Sequence, residues 1–287
     1  MNFLKFCSRM IGLLLLSAFV LAGCKQRVRV LKSPPHYNFK VVDEKKMDLR
    51  LKEISGIVWD AKKDQFATHN DESGYLYFLD KEGTFKEGTE IKIGKKGDDF
   101  EDIALVDSTL YLLRSDGLII KITSDSTGRT YGVEAGKIEL SGAKDFETMY
   151  YDDARKALIV ICKNCAIDNK SVVSAFAFYP DSTGFDEKPV FTINADKVKE
   201  LSPKKTSKFQ PSAAAIHPVL NKLFIISSAS NQLAIADING NVEEVYVLAQ
   251  KLFPQPEGIT FNNKGDMYIS NESMTSKGTL LKFLYQK

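Results

Sequence analysis

Histidine, cysteine and any excess of charge are what this 287-residue chain has least of: three His, four Cys and a formal net charge of +2. Residues 1–23 carry Lys5 and Arg9 and no acid, so the remainder balances at 37 basic against 37 acidic residues. Phosphate recognition needs a basic excess, so nucleic acid is not expected as a partner. Long apolar runs are also missing. Ile11–Leu16 and Ala18–Ala22 fall short of the roughly 20 residues that span a bilayer. They follow Lys5 and Arg9 as the apolar core of a secretory signal would. Leu21-Ala22-Gly23-Cys24 then resembles a bacterial lipobox, which implies cleavage before Cys24 and acylation of its thiol.

That leaves Cys162-Lys163-Asn164-Cys165. No second Cys/His pair completes four ligands, which argues against zinc. Outside the cytoplasm a small disulfide or a pair of thiols is the expectation. Thioredoxin-type chemistry would want the pair at a helix start, whereas here it ends an apolar strand at 157–161. His69 and His217 have no Ser or Asp partner at recognisable spacing, so no Ser-His-Asp site is expected. His217 is placed in a turn between strands, and His69 beside the channel or inside a blade.

What the chain has in quantity is repetition. Glu53-Ile54-Ser55-Gly56-Ile57, Asp99-Phe100-Glu101-Asp102-Ile103, Asp145-Phe146-Glu147-Thr148-Met149, Gln210-Pro211-Ser212-Ala213-Ala214 and Gln255-Pro256-Glu257-Gly258-Ile259 are five versions of one motif. Their third positions lie 46, 46, 65 and 45 residues apart. A period of about 40–50 residues with strand-like content indicates a propeller. Each motif leads into an apolar strand end, a turn rich in Asn, Asp or Gly, and a second apolar strand. Third strands are read at 74–79, 117–122, 172–179, 233–238 and 278–284, and fourth strands at 137–140, 190–193 and 242–247.

The fifth repeat runs out of chain after its third strand, while an extended segment at 37–51 has no blade. The economical reading is an all-β, five-bladed β-propeller whose last blade is closed by the N-terminal strand. The insert 194–209 reads as a helical turn and a loop. A degenerate sixth blade is the alternative, but that insert is too short for four ordinary strands. The domains are then a signal peptide at 1–23, a tether at 24–35 and a single propeller at 36–287.

In a propeller the motif loops and the loops between second and third strands open on one face. The latter loops hold the ligand-binding candidates Asn70, Asp71, Glu72, Arg114, Asp116, Lys163, Asn164, Asn271 and Glu272. Glu101, Glu147 and Glu257, the acids of the third motif position, converge near the axis. Such carboxylates repel unless a cation lies between them or their pKa values rise. Hard oxygen ligands suit Ca²⁺, with Asp99 and Asp145 as further donors. The alternatives are that each acid staples a neighbouring blade through backbone amides, or that one is a catalytic acid or base.

As an ordered set, the lipobox, Glu-Ile-Ser-Gly-Ile, Asp-Phe-Glu-Asp-Ile-Ala, Lys-Asp-Phe-Glu-Thr-Met, Gln-Pro-Ser-Ala-Ala-Ala-Ile-His-Pro and Gln-Pro-Glu-Gly-Ile-Thr-Phe resemble the SdiA-regulated (YjiK-like) family of bacterial envelope propellers. The resemblance covers residues 36–285 and implies a β-propeller in the envelope, with no activity attached. More distantly, Glu257 with its Gly is similar to the axial Glu of calcium-binding lactonase and phytase propellers, and Asn70, Asn164 and Asn271 are the partners this implies. Two functions follow as expectations. One is a lipid-anchored, monomeric binding or scaffold propeller with an axial Ca²⁺, recognising a small molecule, glycan or protein. The other is a calcium-dependent hydrolase of phosphoesters or lactones. Lys25-Gln26 after Cys24 points to the outer membrane.

Overall fold

Each of the five motif copies feeds a hairpin whose turn holds one residue at positive φ: Asp64 (50°), Asp107 (54°), Lys156 (53°), Asn221 (51°) and Gly265 (91°). Asp, Asn and Gly tolerate that left-handed region; Lys156 is the exception. The structure is a computed structural model and describes residues 32–182, 184–204, 208–273 and 276–287. The signal segment, Cys24 and the tether up to residue 31 lie outside the described residues.

The first strand, β1 (Asp43–Lys46), precedes a 3₁₀ turn at Leu49–Leu51. Blade one is β2 (Ile54–Asp60), β3 (Gln65–Asn70), β4 (Tyr75–Asp80) and β5 (Ile91–Lys92). Blade two is β6 (Phe100–Val106), β7 (Thr109–Arg114), β8 (Leu118–Ser124) and β9 (Thr130–Lys137). Blade three is β10 (Phe146–Asp152), β11 (Ala157–Cys162) and β12 (Val172–Tyr179), its outer edge shared by β13 (Gly184–Phe185) and β14 (Phe191–Asn194). Helix α1 (Ala195–Leu201) follows. Blade four is β15 (Ala213–Ile216), β16 (Leu223–Ser227), β17 (Gln232–Ala236) and β18 (Val242–Val247). Blade five is β19 (Pro256–Phe261), β20 (Met267–Asn271) and β21 (Thr279–Phe283). Its fourth strand is β1, paired antiparallel to β21 from Asp43↔Lys282 to Lys46↔Thr279. The inner strands β2, β6, β10, β15 and β19 contact one another in cyclic order, so the molecule is a closed five-bladed β-propeller.

The second strands β3, β11, β16 and β20 are buried along their whole length. β11 and β16 are accordingly almost wholly apolar rather than alternating, while β3 also buries Gln65, Thr68, His69 and Asn70. Five buried clusters fill the gaps between neighbouring blades, and no single centre dominates. Each buried Phe, such as Phe66, Phe146 or Phe224, adds about 1.5–3 kcal/mol of burial to its gap.

Two strand readings need correction. The N-terminal segment is extended only over Asp43–Lys46, not 37–51. Tyr37 turns back to Pro34 and is buried, and Phe39 packs against Phe253 and Phe283. Asp48 then caps the 3₁₀ turn by accepting from Arg50 N at 2.9 Å. The fourth strand of blade two is Thr130–Lys137, not 137–140. It is half-exposed and lacks the alternation that marks a strand. The insert before blade four holds helix α1, capped by Asn194 Oδ1 on Lys197 N at 2.9 Å, with no further blade among the described residues.

His217 sits where the sequence placed it, in the β15–β16 turn, fully buried. Its Nδ1 accepts from Val219 N (3.0 Å) and Leu220 N (3.1 Å), so the proton is on Nε2. Nε2 donates to the Tyr37 hydroxyl (2.7 Å), which donates to Gly265 O (2.5 Å). This relay fastens the N-terminal segment to blades four and five. His69 lies inside the wall between blades one and two, edge-on to Phe100.

Candidate functional site

In four of the five motifs the third position coincides with a β-bulge. The register of the inner strand slips between Ile54 and Ile57, Phe100 and Asp102, Phe146 and Thr148, and Pro256 and Gly258. Glu101, Glu147 and Glu257 are thus the extra residues, left out of the ladder. A bulge re-aims a side chain and is common beside functional sites. Here it separates two jobs that a regular strand would mix. The third position faces the mouth of the ring and the fourth packs on the next blade.

The fourth position is what staples the ring. Asp102 is buried, with its carboxylate accepting from Ile103 N (2.8 Å) and from Met149 N of blade three (2.7 Å). Gly56 lets blade one approach: a Cβ there would lie 2.7 Å from Asp102 Cα. Ser212 Oγ donates to Pro256 O (2.9 Å), and Ser270 Oγ to Ser55 O (3.0 Å). Of the third-position serines, Ser212 thus joins blades through its hydroxyl and Ser55 through its backbone carbonyl. Among the glutamates there, Glu257 also reaches across a joint, to Ser228 of blade four.

Lys163 ion-pairs with Glu147 at the mouth. Its ammonium also acts through space on Glu101, Glu257, Asp145 and Glu272. Burial and neighbouring acids oppose it. Glu101 is pushed up to about 9, by burial first and then by Asp99. Glu257 is pushed up to about 7 by burial, against hydrogen bonds from Ser228 and Gln255. Asp71 rises to about 6 by burial and then through Glu53 and Glu72. Asp145 and Glu272 are raised by burial too. Among the described residues three acceptor oxygens, Asp71 Oδ1, Glu147 Oε2 and Asn271 Oδ1, are buried with no donor.

The predicted residues therefore divide. Asp71, Glu72, Lys163, Glu272 and the three glutamates join one electrostatic network at the mouth. Asn70 serves the fold: its amide donates to Arg50 O (2.8 Å) and accepts from Ser73 N (2.8 Å). Arg114 forks onto Asp116 (2.7 and 2.8 Å), which also pairs with Lys137 (2.8 Å). Asn271 donates to Thr279 Oγ1 (3.0 Å). Asn164 is exposed and lines, with Lys163, Phe209 and Gln210, a cavity of about 440 Å³ between blades three and four. Cys162 and Cys165 are disulfide-bonded, which holds Lys163 in a short loop. Sequence reasoning missed Glu53 and Gln255 as members of the network, and Asp102 as the staple. The position of Glu53 in the first motif column was the available signal.

The donor chemistry fits a hard cation, since it is oxygen throughout and part of it is unpartnered. Among the described residues, however, the one trio of acid, His or Cys ligand atoms all within 4.8 Å of one another is Cys162, Cys165 and Asp168, whose sulfurs are bonded to each other. The three motif glutamates are balanced by Lys163 instead. Below them the channel encloses about 220 Å³ between the inner strands.

A closed five-bladed propeller with bulge-borne carboxylates at one mouth is the class that fold and site define. The chain belongs to the SdiA-regulated family, which matches residues 31–274. No curated protein sequence matches it significantly. Among solved structures it is similar to the glutaminyl cyclase of Myxococcus xanthus, with a TM-score of 0.56 and 12% identity over 85% of this chain and 96% of that one. A Bacteroides thetaiotaomicron protein of unknown function gives a TM-score of 0.51 and 12% identity over 80% of this chain and 55% of that one. A gluconolactonase from Xanthomonas campestris gives 0.48 and 11% identity over 80% and 86%. Identities this low speak to the fold alone.

Proposed function

We propose that this protein is a binding module of the bacterial cell envelope, anchored by a lipid on Cys24, whose mouth takes a cationic ligand, with Ca²⁺ as the ion its oxygens suit. The observation that supports this is the set of donorless buried oxygens, Asp71 Oδ1, Glu147 Oε2 and Asn271 Oδ1, among carboxyls pushed upward by burial and by one another. Such a set is short of positive charge even with Lys163 in place. A cation binding there would lower the pKa of each carboxyl and remove the repulsion between them. Glu101, Glu147 and Glu257 would hold it, with Asp99 and Asp145 beside them. The ion would supply charge neutralisation and order in the mouth loops. The outer membrane remains the proposed location.

Thermal melts of the chain in EDTA and in Ca²⁺, with calorimetric titration, test the reading. A saturable Ca²⁺-dependent rise in melting temperature, reduced in Glu101→Gln and Glu257→Gln, is expected. Identical melts in EDTA and Ca²⁺ would sink the calcium assignment. Turnover of a phosphoester or lactone panel by the Ca²⁺-loaded protein would move it to the hydrolases. Palmitate labelling lost in Cys24→Ala tests the anchor.

A further inference from the structure

The single tryptophan of the chain lies on the face opposite the mouth. Trp59, next to last in β2, lines a cavity of about 510 Å³ between blade five and blade one, within the ~300–1,000 Å³ range of ligand pockets. Trp59 is half-buried and firmly held. Its backbone N donates to Thr260 Oγ1 (3.1 Å), Phe66 packs edge-on at 4.8 Å, and the Tyr268 ring lies parallel, 6.5 Å between centroids. A rigid aromatic platform loses little entropy when a ligand lands on it.

The charges around it decide the class of ligand. The cations of the cavity are Lys45, Lys81, Lys264 and Lys282. Its anions are Asp43, Asp64, Glu82 and Asp266. An anionic ligand would call for a basic excess and a cationic one for an acidic excess; four against four favours neither. The side chains of Asp43, Asn263 and Lys264 make no hydrogen bond or ion pair among the described residues, while Asn262 and Asp266 are occupied in the β19–β20 turn. An acceptor, an amide and a donor left open around an aromatic face match hydroxyls that both give and accept hydrogen bonds, next to the C–H face of a pyranose ring.

We propose that this cavity between the first and last blades binds a neutral carbohydrate, with Trp59 as its stacking platform and Asp43, Asn263 and Lys264 as its polar contacts. It is separate from the acidic mouth and does not depend on Ca²⁺.

Trp59 is also the sole tryptophan fluorophore. The full chain is titrated in EDTA with chitotetraose, cellotetraose and maltotetraose up to about 10 mM, enough to reveal a millimolar dissociation constant. ATP and spermine serve as the charged probes. A saturable change in tryptophan emission with at least one of the sugars, and none with ATP or spermine, is expected. The exposed variants Asn263→Ala and Lys264→Ala keep Trp59 and the wild-type melting temperature. Each should weaken that sugar by about five- to tenfold, the loss of roughly one hydrogen bond. Silence with all three sugars, saturation by ATP or spermine in their place, or unchanged sugar affinity in both variants would overturn the proposal.

Discussion

Lys163, from the loop after β11, ion-pairs with Glu147 on β10, so the cation that balances the mouth belongs to the chain itself. A metal ion entering the mouth competes with that ammonium. Lys163→Met should therefore bind Ca²⁺ more tightly, by about tenfold, and melt lower than wild type in EDTA. Calorimetry and melts in EDTA and in Ca²⁺ measure both effects. Unchanged Ca²⁺ affinity in Lys163→Met would show that the two cations do not share a site.

The same network predicts a sloped pH profile. Glu101 (about 9), Glu257 (about 7) and Asp71 (about 6) keep protons in the fold at pH values where the unfolded chain has lost them. The unfolded chain then binds fewer protons, so their contribution to stability falls as pH rises through that range. His69 and His217 shift the other way, burial lowering each to about 4, so their contribution is lost as pH falls from 6.5 towards 4. Above pH 6.5 only the carboxyls act, and the melting temperature should decline from neutral pH to about pH 9. Glu101→Gln should flatten the decline. An equally steep slope in that variant would remove Glu101 as its source.

Asp102 is the staple most easily tested. Asp102→Ala leaves the buried Met149 N–H without an acceptor, a loss of about 1–3 kcal/mol. Gly56→Ala pushes a methyl into the backbone of blade two and should cost a similar ~1–3 kcal/mol. Because Gly56 and Asp102 touch, the double variant should fall short of the sum. Urea unfolding of the three variants gives the comparison.

The Cys162–Cys165 bridge closes a four-residue loop. On chain entropy alone a loop of that size contributes about 2 kcal/mol. Its second effect is local: Lys163 N and Asn164 N both donate to Asp145 O, at 2.9 and 3.2 Å, and the bridge holds them there. Replacing both cysteines by serine should lower stability by roughly that amount. It should also tighten Ca²⁺, because a looser Lys163 competes less well.

The architecture was legible because it is written five times. The motif spacing, the apolar second strands and the missing fourth strand of blade five sufficed for the ring and its closure. The site was legible only in part. A β-bulge has no residue signature of its own in Glu101, Glu147 or Glu257, so the motif does not show that its third and fourth positions have separate roles. Repulsion among the glutamates was foreseeable; that Lys163 answers it depends on where a loop two strands away folds back. Asn70 and Asn271 looked alike as polar ends of apolar strands. The fold occupies both amide ends of Asn70 and, among the described residues, leaves Asn271 Oδ1 without a donor. Trp59 read as an ordinary strand end, because the neighbours that make it a cavity wall come from the other end of the chain.

Closure by β1 also sets an order of events during synthesis. Asp43–Lys46 leaves the ribosome before any blade exists and pairs with β21 only after all five repeats have emerged. The ring is therefore the last thing to form, and contacts that far apart in sequence are slow to make. Meanwhile the waiting strand is Asp-Glu-Lys-Lys, exposed at every position. A charged edge is a poor template for a stray strand, so the nascent chain can wait for its own end with less risk of joining another copy.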